Sequence, residues 1–162
     1  MAVNVTVQSN LKIVTKNLKK LQSRFPRIID QALMKSGFHL VTIIRELTQK
    51  GQDFRRRPFA PYSEGYIKQL EKEGKPTGVD LFYSGRMMGA LTPNKKSVKK
   101  KSKNVVSISF SNAQMRQRAL FNQVLNEPNR EFFGFNNRTE KIISKSFNRD
   151  IASAIKRLRI WV

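Results

Sequence analysis

The chain has no cysteine, one histidine, one tryptophan, and eleven acidic residues against 32 lysines and arginines. The first absence excludes disulfides, thiolate metal sites and cysteine nucleophiles, and it suits a reducing cytosol. His39 has no second histidine to complete a metal site or a catalytic pair, and between Phe38 and Leu40 it reads as a structural or surface side chain. Converging carboxylates, which a magnesium-dependent nuclease needs, are missing too: the acids are scattered, and Glu71 with Glu73 lies beside lysines. Neither a Walker pattern nor Gly-x-Gly-x-x-Gly occurs, so nothing cradles a nucleotide phosphate. The expectation is a protein that is not an enzyme and takes no cofactor or metal.

Long apolar runs are absent as well. No stretch approaches the roughly 18 apolar residues of a membrane span, and Met1 to Val7 lacks the basic start and apolar run of a signal peptide. A soluble protein without a membrane partner is expected. What the chain has in excess is positive charge. A net charge of +21 attracts polyanions and opposes self-compaction. Nucleic acid, an acidic protein surface or an anionic membrane would each supply counter-charge, and charge alone does not choose among them.

The 162 residues suit one domain, residues 1–162, which would bury roughly 70% of its unfolded surface. Apolar residues make up 39% and fall in periodic clusters. Val3, Val5 and Val7 alternate with polar residues as in a short strand. Val14, Leu18, Leu21 and Phe25 then recur at helical spacing. Pro26 is tolerated in the first turn of a helix, so a second helix is predicted from there, carrying Ile29, Leu33, Gly37, Leu40, Ile44 and Leu47 and capped by Gly51. Residues 52–80 lose regular periodicity, apart from a brief helix near residues 66–73, and read as an extended loop or arm. The aromatic residues Phe54, Phe59, Tyr62, Tyr66 and Tyr83 imply that this segment packs on something.

Ser84 is positioned to cap a short helix that turns Met87, Met88 and Leu91 inward. Lys95, Lys96, Lys99, Lys100, Lys101 and Lys103 precede Val106, Ile108 and Phe110, which alternate with serines. This pattern gives a hairpin turning near residues 102–104, with the lysine segment as its exposed strand. Residues 115–125 read as a helix with Met115, Ala119 or Leu120, and Val124 on its inner side. Asn126 to Asn129 break it. Arg130, Phe132 and Phe133 form an aromatic anchor turn, with at least two of the three phenylalanines Phe132, Phe133 and Phe135 in the core and Gly134 permitting a special backbone angle or a close approach. Asn137 or Thr139 caps a closing helix bearing Ile142, Ile143, Phe147, Ile151, Ile155 and Leu158, with Lys156, Arg157 and Arg159 at its end. The class is α+β: a small sheet with a hairpin packed against two longer helices, plus a long extended loop.

The order of several short motifs resembles the virion morphogenesis, neck and tail-completion proteins of tailed bacteriophages, including the tail-completion protein of phage Mu. Those motifs are Phe59-Ala60-Pro61-Tyr62-Ser63 with Tyr66, Asp80-Leu81-Phe82-Tyr83-Ser84-Gly85-Arg86-Met87, the Val-Ser-Ile-Ser-Phe strand, and Arg130-Glu131-Phe132-Phe133-Gly134-Phe135. The commoner pattern has His-x-x-Gly after the hairpin, where this chain has residues 115–125 instead. The resemblance implies a structural virion protein of the head-tail junction, made in the host cytoplasm. It would join the portal or an adaptor to the tail or tail terminator as a homo-oligomeric ring, hexamer or dodecamer. It also implies subunit-interface roles for Phe59, Tyr62, Tyr66 and Met87, turn-shaping roles for Ser84, Gly85 and Gly134, and a lysine hairpin facing genomic DNA or an acidic surface. The rival expectation is a stand-alone nucleic-acid-binding protein without sequence preference.

Overall fold

The computed structural model describes residues 11–82 and 84–158, so the expected strand at residues 3–7, Tyr83 and Arg159 lie outside the described residues. Helix α1 runs unbroken over Leu11–Gln49 with Pro26 inside it. Two separate helices were expected there. Proline removes one backbone donor and crowds the carbonyl four residues earlier, but Pro26 and Gln22 are both exposed, so water can satisfy the freed carbonyl. The inward positions Leu21, Ile28 and Ala32 continue in step across the proline, so packing prevails over local preference. At the other end Gly51 takes φ +70°. Its N–H donates to the Thr48 carbonyl at 3.0 Å and that of Gln52 to the Leu47 carbonyl at 2.9 Å, the two bonds of a Schellman cap.

The remaining elements are short until the last. Helix α2 covers Glu64–Lys72 and α3 covers Arg86–Gly89. Strands β1, Val98–Ser102, and β2, Val105–Ile108, form an antiparallel hairpin, followed by helix α4 at Ala113–Leu120, which passes into a π-helical turn at Phe121–Leu125. Helix α5, Asn137–Arg157, packs against α1. The pair is antiparallel, because Asn136 Nδ2 donates to the Phe54 carbonyl just past the end of α1 while Lys20 Nζ reaches the Leu158 carbonyl. The α+β class, with a hairpin and two long helices, is as the patterning predicts.

Two caps and one helix face differ from expectation. Ser84 is exposed and does not cap α3; that position belongs to Gly85, at φ +68° and with no side-chain bond. Helix α5 is capped by Asn136, whose side chain accepts from the Thr139 N–H at 2.9 Å, while Thr139 itself is buried. Of the positions expected to face inward on residues 115–125, Met115 and Ala119 do so, but Leu120 and Val124 point to solvent.

The hairpin reaches α1 through a close approach. A Cβ on Gly37 would lie 2.5 Å from Val98 Cγ1 and 3.2 Å from Val106 Cγ1. Only glycine lets the sheet come this near. Val98 is fully buried, together with Val41, Met88 and Leu91, and Phe132 joins the same core. Beside it Ser97 Oγ donates to the Ala90 carbonyl at 3.0 Å and accepts from the Thr92 N–H at 2.9 Å. Lys101 has no partner across the ladder, which marks a bulge, and Asn104 turns the chain at φ +59°.

Helix propensity favours alanine over glycine by roughly 1 kcal/mol, yet Gly37→Ala should lower stability by about 1–3 kcal/mol because the new methyl displaces a stiff valine. Gly65→Ala in α2, where a Cβ meets nothing within 4 Å, should raise stability by about 0.4–1 kcal/mol. Urea denaturation of both variants tests the pair; a stabilised Gly37→Ala would remove the close-approach argument.

Candidate docking site

Residues 52–63 fold back on their own chain rather than reaching away from it. Asp53 is buried, accepting from the Arg57 N–H at 2.8 Å and from Arg57 Nε at 3.0 Å. Phe59 donates its N–H to the Gly51 carbonyl and sits in the core. Arg55 lies over the Phe54 ring and pairs with Glu131. Gly134 packs against that same ring, since a Cβ there would come within 2.9 Å of it; the close approach, not an unusual backbone angle, is its role.

The second half of this segment is held by Arg130. This buried guanidinium donates through Nε to the Ala60 carbonyl at 3.3 Å and through an Nη to the Pro61 carbonyl at 3.1 Å, and lies 4.9 Å from the Tyr62 ring centre. A planar fork suits two adjacent carbonyls and a ring face. Tyr62 and Tyr66 meet edge to face at 4.8 Å. Burial pushes the Tyr62 hydroxyl above its ordinary pKa of 10.0, with Tyr66 and Asp80 adding in the same direction and Arg130 and the Leu81 backbone opposing. Asp80 also accepts from the Phe82 N–H at 2.9 Å across Leu81, which is held at φ +55°, a strained angle for leucine.

Tyr62, Tyr66, Leu81 and Arg130 line an open groove of about 620 Å³, together with Ser84 and Gly85 and, from the end of α4 and the turn after it, Phe121, Asn126 and Glu127. This last segment is built the reverse of an ordinary amphipathic helix. Within the π turn, Gln123 exchanges two hydrogen bonds with the Phe133 backbone, at 3.0 and 2.9 Å, and the Asn122 carbonyl accepts from the Arg130 N–H. The polar residues are thus tied inward. Leu120, Phe121, Val124 and Leu125 are turned out, each more than half exposed. A π turn adds one residue to the helical count and so rotates the side chains beyond it about the helix axis.

Of the expected interface residues, Tyr62 and Tyr66 are half-buried in the groove wall, whereas Phe59 and Met87 belong to the chain's own core. Arg130 and Phe132 are buried, and Phe110, Phe132 and Phe133 cluster at 6.0 to 6.4 Å. Phe135 is exposed. The six lysines are exposed and none lines the groove. Arg45, unremarked in the sequence, bonds the Met88 and Leu91 carbonyls and so ties α1 to the end of α3. Among the described residues no group of three His, Asp or Glu side chains could hold a metal ion, and no helix is long and apolar enough to cross a membrane. No family model, curated protein or solved structure matches the chain.

Arg130→Lys should lower stability by about 3 kcal/mol, because an ammonium cannot reproduce the fork. Hydrogen exchange should quicken at Ala60 and Tyr62 while α5 stays protected; unchanged exchange would remove Arg130 from its anchoring role. The raised Tyr62 pKa sets a sign as well. Above pH 10 the unfolded tyrosine ionises before the folded one, so the wild type should lose stability with rising pH relative to Tyr62→Phe. Paired denaturation curves from about pH 9 to 11 measure that difference, and parallel curves would contradict it.

Proposed function

We propose that this chain is a structural assembly subunit that docks other proteins through the tip of α4 and the adjoining groove. The observation that carries the reading is the inverted π turn. Hydrogen bonds to Phe133 and Arg130 hold its polar residues inward, so four large apolar side chains face water in the isolated chain. Contiguous apolar patches of this kind mark interaction surfaces. Tyr62 and Tyr66, which line the same groove as Phe121, supply aromatic area with polar tips, the composition favoured at interface cores.

The motif order points to one setting for such a subunit, the head-tail junction of a tailed phage, where a ring joins the portal or an adaptor to the tail. A ring needs a heterologous contact repeated around an axis. In this reading the α4 tip of one copy packs on the next, Tyr62 and Tyr66 contribute at the groove, and Phe59 and Met87 support the interface from within. Arg130, Phe132 and Phe133 keep the site in shape without entering the contact.

Phe121→Ser combined with Val124→Ser alters only exposed positions. Sedimentation velocity should show the wild type as a closed oligomer and this variant as monomer with an unchanged circular dichroism spectrum. Particles assembled without the protein should be full heads with separate tails. An oligomer insensitive to the double substitution, or normally joined virions, would overturn the proposal.

A further inference from the structure

The charge of this protein is sorted along the chain. Residues 1–29 and 81–126 contain no aspartate or glutamate, yet they carry six and nine lysines and arginines respectively. In the fold the hairpin of the second stretch lies against α1 just past the end of the first. The hairpin sits on α1 at Gly37, and Lys100 of β1 pairs with Asp30 of α1. Asp30 is the one acid in α1 before Glu46, so this pair engages the only negative charge on that face.

We infer that the hairpin and one face of α1 form a single track for the phosphate backbone of a nucleic acid. Lys12, Lys16, Lys20 and Arg27 are spaced at steps of four, four and seven, which places them on one helix face. The same face continues through Gln31, Met34 and Phe38. There α1 and the turn before β1 share a shallow groove, lined by Arg27, Lys35 and Lys95 together with Asp30, Met34 and Phe38. From Lys12 to Phe38 the helix rises about 40 Å at 1.5 Å per residue, comparable to the roughly 34 Å of one duplex turn. Lys99 and Lys101 are exposed on the same strand as Lys100. Lys20 leans towards the Leu158 carbonyl. Among the described residues, no ion pair is formed by Lys12, Lys16, Arg27, Lys35, Lys95, Lys99 or Lys101.

The form of the surface selects the ligand. Flexible lysine charges spread over tens of ångströms match a polymer of evenly spaced phosphates rather than a compact anion, and they read no bases. Leu11, Val14, Leu18 and Phe25 are exposed on the face of α1 opposite Lys12, Lys16 and Arg27, so an anionic lipid surface is the competing ligand that the test must separate. This track is separate from the α4 tip and does not rest on the assembly reading.

The test is fluorescence anisotropy of the full chain with a labelled duplex of mixed sequence, from about 50 to 300 mM salt. Two triple variants are compared: Lys12→Gln, Lys16→Gln and Arg27→Gln on α1, and Lys99→Gln, Lys101→Gln and Lys103→Gln on the hairpin. Each should weaken binding at least ~10-fold at about 100 mM salt and flatten the slope of log K against log salt by about 2–3, near 0.9 per lost phosphate contact. Asp30→Asn should tighten binding. Wild-type affinity in the α1 triple variant would overturn the track, since the hairpin would then act alone. So would failure to bind duplex under conditions where polyglutamate or phosphatidylserine vesicles bind. Retained oligomers in both triple variants would separate this result from the assembly surface.

Discussion

The contact between Gly37 and Val98 is the constraint on which the arrangement of this molecule depends. A two-stranded hairpin is marginal in water unless one face is buried. Here the buried face meets a helix backbone with no side chain between them. That approach puts Val98 in the core and sets Ser97 between the Ala90 carbonyl and the Thr92 amide. It also fixes the outer strand, so the lysines project from a defined place beside α1 rather than from a loose loop. Electrostatics finish what packing begins, because Lys100 and Asp30 pair where the strand crosses the helix.

Arginine and lysine divide the excess charge between two tasks. Arg45 ties two carbonyls at the end of α3, Arg130 ties two in the loop before α2, and Arg55 and Arg57 hold carboxylates, Glu131 and Asp53, around the same loop. Arg45, Arg55 and Arg130 also lie over aromatic rings. A planar, weakly hydrated cation with several fixed donors can be half-buried this way, whereas an ammonium is better left in water. The lysines of the hairpin and of α1's first half are accordingly exposed. The net charge of +21 is therefore not a measure of surface available to a partner. The acid-free stretches are.

Much of this was legible in the sequence where one period dominated. Val106, Ile108 and Phe110 alternating with serines marked the hairpin, and Gly51 marked the end of α1. Pro26 misled because its local penalty is real, but an exposed proline leaves the carbonyl it frees to water, and the inward seam continues past it. The caps moved by one residue because Ser84, Gly85, Asn136 and Asn137 are adjacent residues all suited to helix starts, and only tertiary contacts choose among them. The α4 tip was hidden for a deeper reason. Amphipathic reading assumes polar residues face outward, and here Gln123 faces inward because the Phe133 backbone offers it both a donor and an acceptor. Nothing within residues 115–125 encodes that partner. The role of Gly37 did have a signal, a glycine in the middle of a strong helix, which propensity alone would not place there.

The size of the α4 tip bears on how it can be used. Fully burying a large apolar side chain contributes roughly 1.5–3 kcal/mol. Four side chains already about half covered therefore offer about 4 kcal/mol when a partner closes over them. Association costs roughly 4–15 kcal/mol in lost freedom alone. A single such contact leaves little surplus, and a lone pair of chains would part readily. In a closed ring each subunit is held on two sides, and losing one requires breaking both contacts at once, so individually weak interfaces become sufficient. Under the proposed assembly role a small apolar tip suits a chain whose partners are already gathered, and it would limit premature aggregation of the free subunit.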